Sequence, residues 1–316
     1  MNKFNVYIEE ENEQIRSFIT KSSNLMLDRF MNNPGYELDY SSIKSFNIVE
    51  NIISSVKKFQ EKHNLLQNIT DDNNGRALGK VISIKNEQIL ENYIFIESSL
   101  FIAYFYNSEN KFIEHTLVHT THHELAHAHD DFVKSKDIGI DFFFCEPTDY
   151  LTQHQHDANA IWSEYIANRL SSSTFKKDIN NEINDLFGII SEVKEVAVNL
   201  IVQFCRDGNA GALFFDIKRS TSFLLYKLAN IIGTIQGLNL EKENLYYKAN
   251  EFLFKEILEK FENEFIILYQ HYGNWKDPSI FFGLIECLFE LWRYMGINAE
   301  AQPDGTFYIK IVEDNF

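Results

Sequence analysis

The chain has 316 residues, of which 45% are hydrophobic and 15% aromatic, enough to bury one large core or two medium ones. It carries 46 acidic and 29 basic side chains, and the formal net charge of −17 disfavours nucleic acid or an anionic membrane as the main partner. A cationic peptide or a basic protein surface is the partner that this charge favours.

The sequence shows no targeting or membrane-spanning segment. Residues 1–11 have no apolar core of signal-peptide length and turn acidic at Glu9. No later stretch reaches about 18 apolar residues without charge. The three cysteines, Cys145, Cys205 and Cys287, lack C-x-x-C spacing and fit a reducing compartment. We therefore expect a cytoplasmic protein.

Two helices are predicted at the start of the chain. Apolar spacing predicts them over residues 11–32 and 41–64, with the turn signal Asn32-Asn33-Pro34-Gly35 between them. The polar run Asp71-Asp72-Asn73-Asn74-Gly75 then breaks the chain.

A small set of strands is predicted after that break. The apolar runs Val81–Ile84 and Tyr93–Glu97 have strand character. The run Leu100–Tyr106 predicts either a third strand or the start of a helix.

The most informative run is His123-Glu124-Leu125-Ala126-His127, inside a predicted helix over residues 116–132. Histidines four positions apart project from one helix face, so both imidazoles can reach one cation. Glu124 follows the first histidine and can accept a proton beside the metal without coordinating it. The pattern predicts a metal site with hydrolytic chemistry.

A third protein ligand is needed, because catalytic zinc takes three ligands and leaves a fourth position open. Residues 157–170 predict a helix with a buried face, and Glu164 lies inside it, where an unpaired carboxylate would be costly. Asn168, one turn later, is placed to hold the spare nitrogen of a metal-bound histidine. Glu164 is the preferred ligand, and the alternatives are His156, His154, Asp157 and Glu146.

At these residues the chain resembles the gluzincin metallopeptidases, in which an H-E-x-x-H helix and a glutamate on a later helix hold zinc. It is most similar to the ImmA/IrrE type, because His123–His127 resembles H-E-L-G-H and Glu164–Asn168 resembles E-x-x-A-N. The resemblance covers about residues 90–172 and implies a zincin fold. Asp130 and Val133 stand where a metzincin needs glycine and histidine, which excludes that class.

The resemblance also implies where a peptide substrate binds. In the zincin fold an edge strand runs beside the active-site helix, and its free backbone groups can pair with an extended peptide. The stretch Tyr93–Phe105 is the candidate, with an ordinary interior strand as the alternative.

Eight of the ten histidines fall between His115 and His156, so competing roles must be assigned. Four of them are predicted to lie on the helix surface or core edge rather than to bind metal: His115, His119, His122 and His129. The candidates for stabilising an oxyanion are His154, His156, Tyr150 and Tyr165.

A connection of about 25 residues is predicted between the two metal-binding helices, and such long loops often form lids or substrate walls. Its Phe142-Phe143-Phe144 run predicts a short buried strand, with an exposed substrate pocket as the alternative.

The C-terminal half has repeated amphipathic helical spacing and ends in a predicted hairpin. Its predicted helices cover Ile183–Phe204, Ala212–Ile235, Leu245–Tyr272 and Ile280–Tyr294. In the hairpin, Asn298–Gln302 and Thr306–Ile311 flank a Pro303-Asp304-Gly305 turn.

These features predict an α+β, mostly helical protein. A zincin-like catalytic domain with N-terminal helices is expected over residues 1–175, and a helical region over 176–316. The predicted function is zinc-dependent hydrolysis of peptide bonds, with Zn²⁺ held by His123, His127 and Glu164 and with Glu124 as general base. The alternatives are an inactive zincin-like regulatory or interaction protein and a zinc hydrolase acting on a non-peptide amide. The sequence does not define an oligomeric state.

Overall fold

The computed structural model describes residues 4–33, 36, 38–65, 71–72, 75–146, 150–302 and 307–312. Three sets of predicted turn residues lie outside this described part: Pro34-Gly35, Asn73-Asn74 and Pro303-Asp304-Gly305. The protein is α+β with helix predominating, as the sequence predicts. None of the described helices has the length and apolar character that crossing a membrane requires.

The described strands form one four-stranded sheet and two short antiparallel pairs. They are β1 (Asn5–Ile8), β2 (Ile43–Val49), β3 (Asp71–Asp72), β4 (Gly75–Arg76), β5 (Gly79–Asn86), β6 (Ile89–Glu97), β7 (Ile297–Ala301) and β8 (Phe307–Ile311). The sheet has the order β1-β2-β6-β5, in which β1, β2 and β6 are parallel and β5 is antiparallel to β6. The pairs are β3 with β4 and β7 with β8.

Helices make up most of the remaining described chain. They are α1 (Glu13–Asn32), α2 (Ile52–His63), α3 (Ser98–Tyr106), α4 (Lys111–Asp137), α5 (Tyr150–Ser171), α6 (Ile179–Asp207), α7 (Ala210–Leu238), α8 (Glu243–Glu251), α9 (Lys255–Gln270) and α10 (Phe282–Tyr294). Short 3₁₀ segments add Ile140–Phe143, Ser172–Thr174 and Pro278–Phe281.

The prediction of a helix over residues 41–64 is wrong in its first half. Residues 43–49 form β2, which lies between β1 and β6, and only Ile52–His63 is helical. The apolar residues Ile43, Phe46, Val49, Ile53 and Val56 are spaced by three or four positions, which is also the spacing of a helix face. The partner strands, distant in the chain, decide the outcome.

The predicted edge strand is also wrong. β6 lies between β2 and β5, so the interior alternative is confirmed and β5 is the edge strand beside it. Leu100–Tyr106 belongs to α3, as the helix alternative predicts. Residues 140–143 form a 3₁₀ segment rather than a strand, and Phe142 is buried.

In the C-terminal half, the predicted helix Leu245–Tyr272 is two helices, α8 and α9. They separate at Leu253, which is 83% exposed and has a positive φ of 55°. A residue with a left-handed backbone conformation does not continue a right-handed helix, so Leu253 separates α8 from α9. The predicted hairpin is confirmed by the antiparallel pairing of β7 with β8.

The chain divides into two compact units. Unit 1 comprises Met1–Phe144 and Leu170–Lys176, and unit 2 comprises Cys145–Arg169 and Lys177–Phe316. In unit 1, Phe46 and Ile94 face a core shared with α1, α3 and α4, whereas Phe95 faces α2. Alternate residues of a strand point to opposite faces, so one strand serves both cores.

Polar side chains hold α4 against the sheet within unit 1. Asn92 on β6 donates to the Ala128 carbonyl oxygen at 2.9 Å, and Ser83 on β5 donates to Asp131 Oδ2 at 2.9 Å. Lys134, which is fully buried, lies 2.7 Å from Asp130 and 3.1 Å from Asp131. Lys134 and both aspartates belong to α4, so these ion pairs satisfy a buried charge within the helix. The contacts of Asn92 and Ser83 are the ones that link α4 to the sheet.

Unit 2 is built on helix packing, with polar contacts that also join its helices. The rings of Tyr165 and Phe265 stack at 4.3 Å, which joins α5 to α9. Trp292 on α10 donates its indole N–H to Thr221 on α7 at 3.1 Å, so both buried groups are satisfied.

Candidate metal centre

His123 and His127 lie one turn apart on α4, whose start is capped by Asn110. Their Nε2 atoms are 2.9 Å apart and their ring planes are perpendicular. Two nitrogens held tetrahedrally at 2.0–2.1 Å from zinc lie roughly 3.3 Å apart. The two imidazoles are therefore close to the spacing of two ligands on one ion.

Both histidines are held in the neutral form that a metal requires. Burial, together with the nearby ammonium groups of Lys80 and Lys134, lowers the pKa of His127 to about 3. Burial also holds the pKa of His123 well below its usual range, and the His127 ring adds to this effect. A neutral imidazole keeps a lone pair for coordination near pH 7.

The third member of the group is Glu164 on α5. One ligand atom from each of His123, His127 and Glu164 lies within 4.8 Å of the others, and all three residues are half-buried. Within the described ranges, no other group of three His, Cys, Asp or Glu side chains meets this spacing. The donor set of two imidazoles and a carboxylate fits a zinc ion.

Glu124 lies in close contact with the first residue of the edge strand. A Cβ atom built on Gly79 would stand 2.5 Å from both Cγ and Oε1 of Glu124. Only glycine therefore leaves room for the carboxylate at its observed position. Glu124 itself is buried, at 6% exposure. Gly79 is not singled out by the sequence, although a glycine two residues before the predicted strand Val81–Ile84 can mark a close approach of another group.

Asn168 has partners other than the predicted histidine nitrogen. Its amide nitrogen donates to the backbone oxygen of Glu164 at 2.9 Å and lies 2.6 Å from the side-chain amide of Asn230. Asn230 on α7 is thus a neighbour of the glutamate that sequence reasoning missed. Nothing local in the sequence links α7 to Glu164, because 66 residues separate the two positions.

The alternative ligands are engaged elsewhere or exposed. His154 is buried with Nδ1 2.9 Å from Asp157 Oδ2, and Asp157 also pairs with Lys218 at 2.8 Å. Glu146 is exposed. His156 is half-buried with Nε2 3.9 Å from Cys145 Sγ. None of these joins the group formed by the two histidines and Glu164.

Tyr165 is unsuited to stabilising an oxyanion. Its hydroxyl donates to Gln236 Oε1 at 2.6 Å and accepts from Arg169 at 2.8 Å, and the residue is fully buried. Burial raises the pKa of its hydroxyl to about 12. His154 is also fully buried. His156 remains a candidate, while the side chain of Tyr150 lies outside the described part of the chain.

Three of the four remaining histidines of α4 contact other parts of unit 1. His122 is buried against the rings of Phe30 and Tyr36, at 4.7 and 4.6 Å. His119 lies 3.1 Å from the hydroxyl of Thr174. His129 accepts a hydrogen bond from the Asp39 backbone N–H at 2.8 Å. His115 is half-buried. None of them belongs to the ligand group.

No protein-family model matches the chain, and neither a curated protein nor a solved structure matches it.

Proposed function

We propose that the protein is a zinc-dependent metallopeptidase with a zincin-like core made of the sheet, α4 and α5. The observation that carries the proposal is the group of His123, His127 and Glu164, whose ligand atoms lie within 4.8 Å of one another. Glu124 follows His123 directly in the chain, and we assign its carboxylate the role of general base.

The residue types favour a catalytic site over a structural one. Structural zinc sites are usually closed by four ligands that include thiolates, whereas catalytic sites use three protein ligands and keep one position open. Two of the three cysteines are exposed, and Cys287 is buried on α10, where burial raises the pKa of its thiol. No cysteine belongs to the group of ligands among the described residues.

The roles of the residues follow from their chemistry. When bound, zinc would supply Lewis acidity, which polarises a scissile carbonyl and makes a water molecule more acidic. His123 and His127 offer neutral nitrogens, and Glu164 offers the negative charge that offsets the cation. Glu124 accepts the proton of the attacking water and delivers it to the leaving amine. Its contact with Gly79 fixes where that carboxylate stands.

The edge strand supports a peptide as the substrate. β5 is bonded to β6 on one side, and its first residue touches Glu124. An extended peptide that pairs with the other side of β5 would run past the general base. The net charge of −17 favours peptides with basic residues.

The proposal is tested with Glu124→Gln, which keeps the shape of the side chain but removes the base. We expect zinc content to stay at about one ion per chain, whereas turnover of a quenched-fluorescence peptide library falls by about 10²–10⁴-fold. The matched control is Glu114→Gln on the same helix, where Glu114 pairs only with the exposed Lys111 at 2.7 Å among its described contacts. Full activity in zinc-loaded Glu124→Gln would contradict the assigned base.

A further inference from the structure

The face of α7 that meets α5 carries polar side chains between residues 226 and 236. Tyr226, Asn230, Gly233 and Gln236 are spaced by four, three and three residues, so they share one side of the helix. Three of them contact α5: Asn230 contacts Asn168, Gly233 contacts the Tyr165 backbone, and Gln236 contacts the Tyr165 hydroxyl. This side of α7 therefore lies along the helix that carries Glu164.

Gly233 sets how closely the two helices approach. A Cβ built at this position would stand 2.3 Å from the carbonyl oxygen of Tyr165 and 3.1 Å from the backbone nitrogen of Arg169. Only a residue without a side chain permits this contact. The contact falls beside Glu164, which directly precedes Tyr165, and one turn of α7 earlier lies Asn230.

Asn230 reaches the carboxylate itself. With its amide nitrogen turned toward α5, it donates to Glu164 Oε2 at 3.0 Å and to the carbonyl oxygen of Tyr226 at 3.1 Å. The same nitrogen lies 2.6 Å from the Asn168 side-chain amide, which must then present its oxygen to Asn230. With the opposite orientation, its oxygen accepts from Asn168 at 2.6 Å. An ionised carboxylate has only acceptors, so a metal-binding Glu164 takes the nitrogen.

The surroundings of Tyr226 agree with this arrangement. Burial, together with the negative charge of Glu164, raises the pKa of the Tyr226 hydroxyl to about 12. The carboxylate thus lies within electrostatic reach of two residues on the same face of α7.

We infer that Asn230 is a positioning residue for Glu164, and that the C-terminal half of the chain acts through it to orient the carboxylate toward a metal ion. The inference rests on the proposed zinc site. A carboxylate offers about four lone-pair positions, so a hydrogen bond at Oε2 leaves others for coordination. Hydrogen-bond partners of metal ligands typically contribute 10–100-fold to metal affinity.

The test is Asn230→Leu, which keeps the volume of the side chain and removes its hydrogen bonds. We expect the dissociation constant for zinc, measured by competition with a chromophoric chelator, to rise about 10–100-fold. The visible absorption of the cobalt(II)-loaded protein should change as well, because it reports ligand geometry. The metal-free protein should retain the unfolding midpoint of its control.

The control is Asn244→Leu, the same substitution on α8, where Asn244 donates to Asn180 at 2.7 Å. Equal zinc affinity and cobalt spectra in the two variants would overturn the inference and leave the proposed function standing. A wild-type protein that binds no zinc would overturn both. If Asn230→Leu does not fold, Asn230→Ser, which is smaller, must show the same loss of affinity.

Discussion

The two helices that supply the candidate ligands differ in what fixes their side chains. On α4, both histidines and the general base fall within five consecutive residues, so the helix itself sets their spacing. On α5, Glu164 stands alone, and its side chain is contacted by Asn230 from α7. The first half of the site is local in sequence and the second depends on tertiary packing. The proposed metal centre is therefore recognisable from the sequence of α4, whereas its proposed third ligand comes from α5.

The supports of the two helices differ in the same way. α4 is held against the sheet of unit 1 by Asn92 and Ser83, and it carries a fully buried ion pair between its own Lys134 and Asp130. α5 is held within unit 2 by direct backbone approach at Gly233 and by amide contacts. Removing the buried charge on α4 should therefore change the stability of the protein more than removing a neutral contact of α5.

The largest expected effect is from His127→Ala, which removes one of the two local ligands. Zinc content should fall from about one ion per chain to near zero, and peptide hydrolysis should be lost with it, because two remaining ligands bind zinc poorly. Metal analysis after dialysis measures this directly. His115→Ala on the same helix is the control. A variant that keeps its zinc would remove His127 from the ligand set.

The next effect is on stability, from Lys134→Met. This variant leaves Asp130 buried without its cationic partner, and the free energy of unfolding should fall by about 3–5 kcal/mol. Urea unfolding of the metal-free protein measures it. The control is Lys111→Met at the exposed start of α4, which should leave stability near that of wild type. Equal stability of the two variants would show that the buried ion pair does not stabilise the fold.

A smaller effect on rate is expected from Gly79→Ala. The added methyl group would stand 2.5 Å from the Glu124 side chain and must displace it. A displacement of about 1 Å can cost about 10²-fold in kcat, while zinc affinity should not change because no ligand moves. Gly188→Ala on α6, where a Cβ meets nothing within 4 Å, is the control. Unchanged kcat in Gly79→Ala would show that the contact with Gly79 does not position the proposed base Glu124.

The smallest effect is on the pH dependence of stability and comes from His122→Phe. Burial lowers the pKa of His122 to about 3, below its ordinary value of 6.5. The unfolded chain therefore binds a proton that the folded chain does not, and stability falls as pH drops from about 6.5 toward 3.

Each histidine of this kind contributes up to about 1.4 kcal/mol for every pH unit in that window. Chemical unfolding of the metal-free protein at pH 7 and pH 5 should show a smaller difference for His122→Phe than for wild type. An identical difference in both proteins would mean that His122 is not buried in its neutral form.

The sequence predicts the parts of the molecule that depend on local spacing. It predicts α1, α4 and α5, the strands β5 and β6, and the α+β class. It does not predict β2, because the apolar residues there are spaced by three or four positions like those of a helix and the partner strands lie elsewhere in the chain. It also misses the division of α8 from α9 at Leu253.

The candidate site also has residues that local spacing predicts and residues that only tertiary packing reveals. His123, Glu124 and His127 follow from a helical period, and the need for a third ligand leads to Glu164. Asn230 and Gly233 are not recognisable as parts of this site from sequence, because only the packing of α7 on α5 gives them a role. The position of Gly79 beside Glu124 likewise depends on the register of the sheet relative to α4.

The most direct test of the account is the zinc content and zinc affinity of wild type compared with Glu164→Ala, with Glu195→Ala on the exposed face of α6 as the control. Wild type and the control should each bind about one zinc ion per chain, and Glu164→Ala should bind zinc far more weakly. Equal zinc content and affinity in all three proteins would contradict a metal centre shared by α4 and α5.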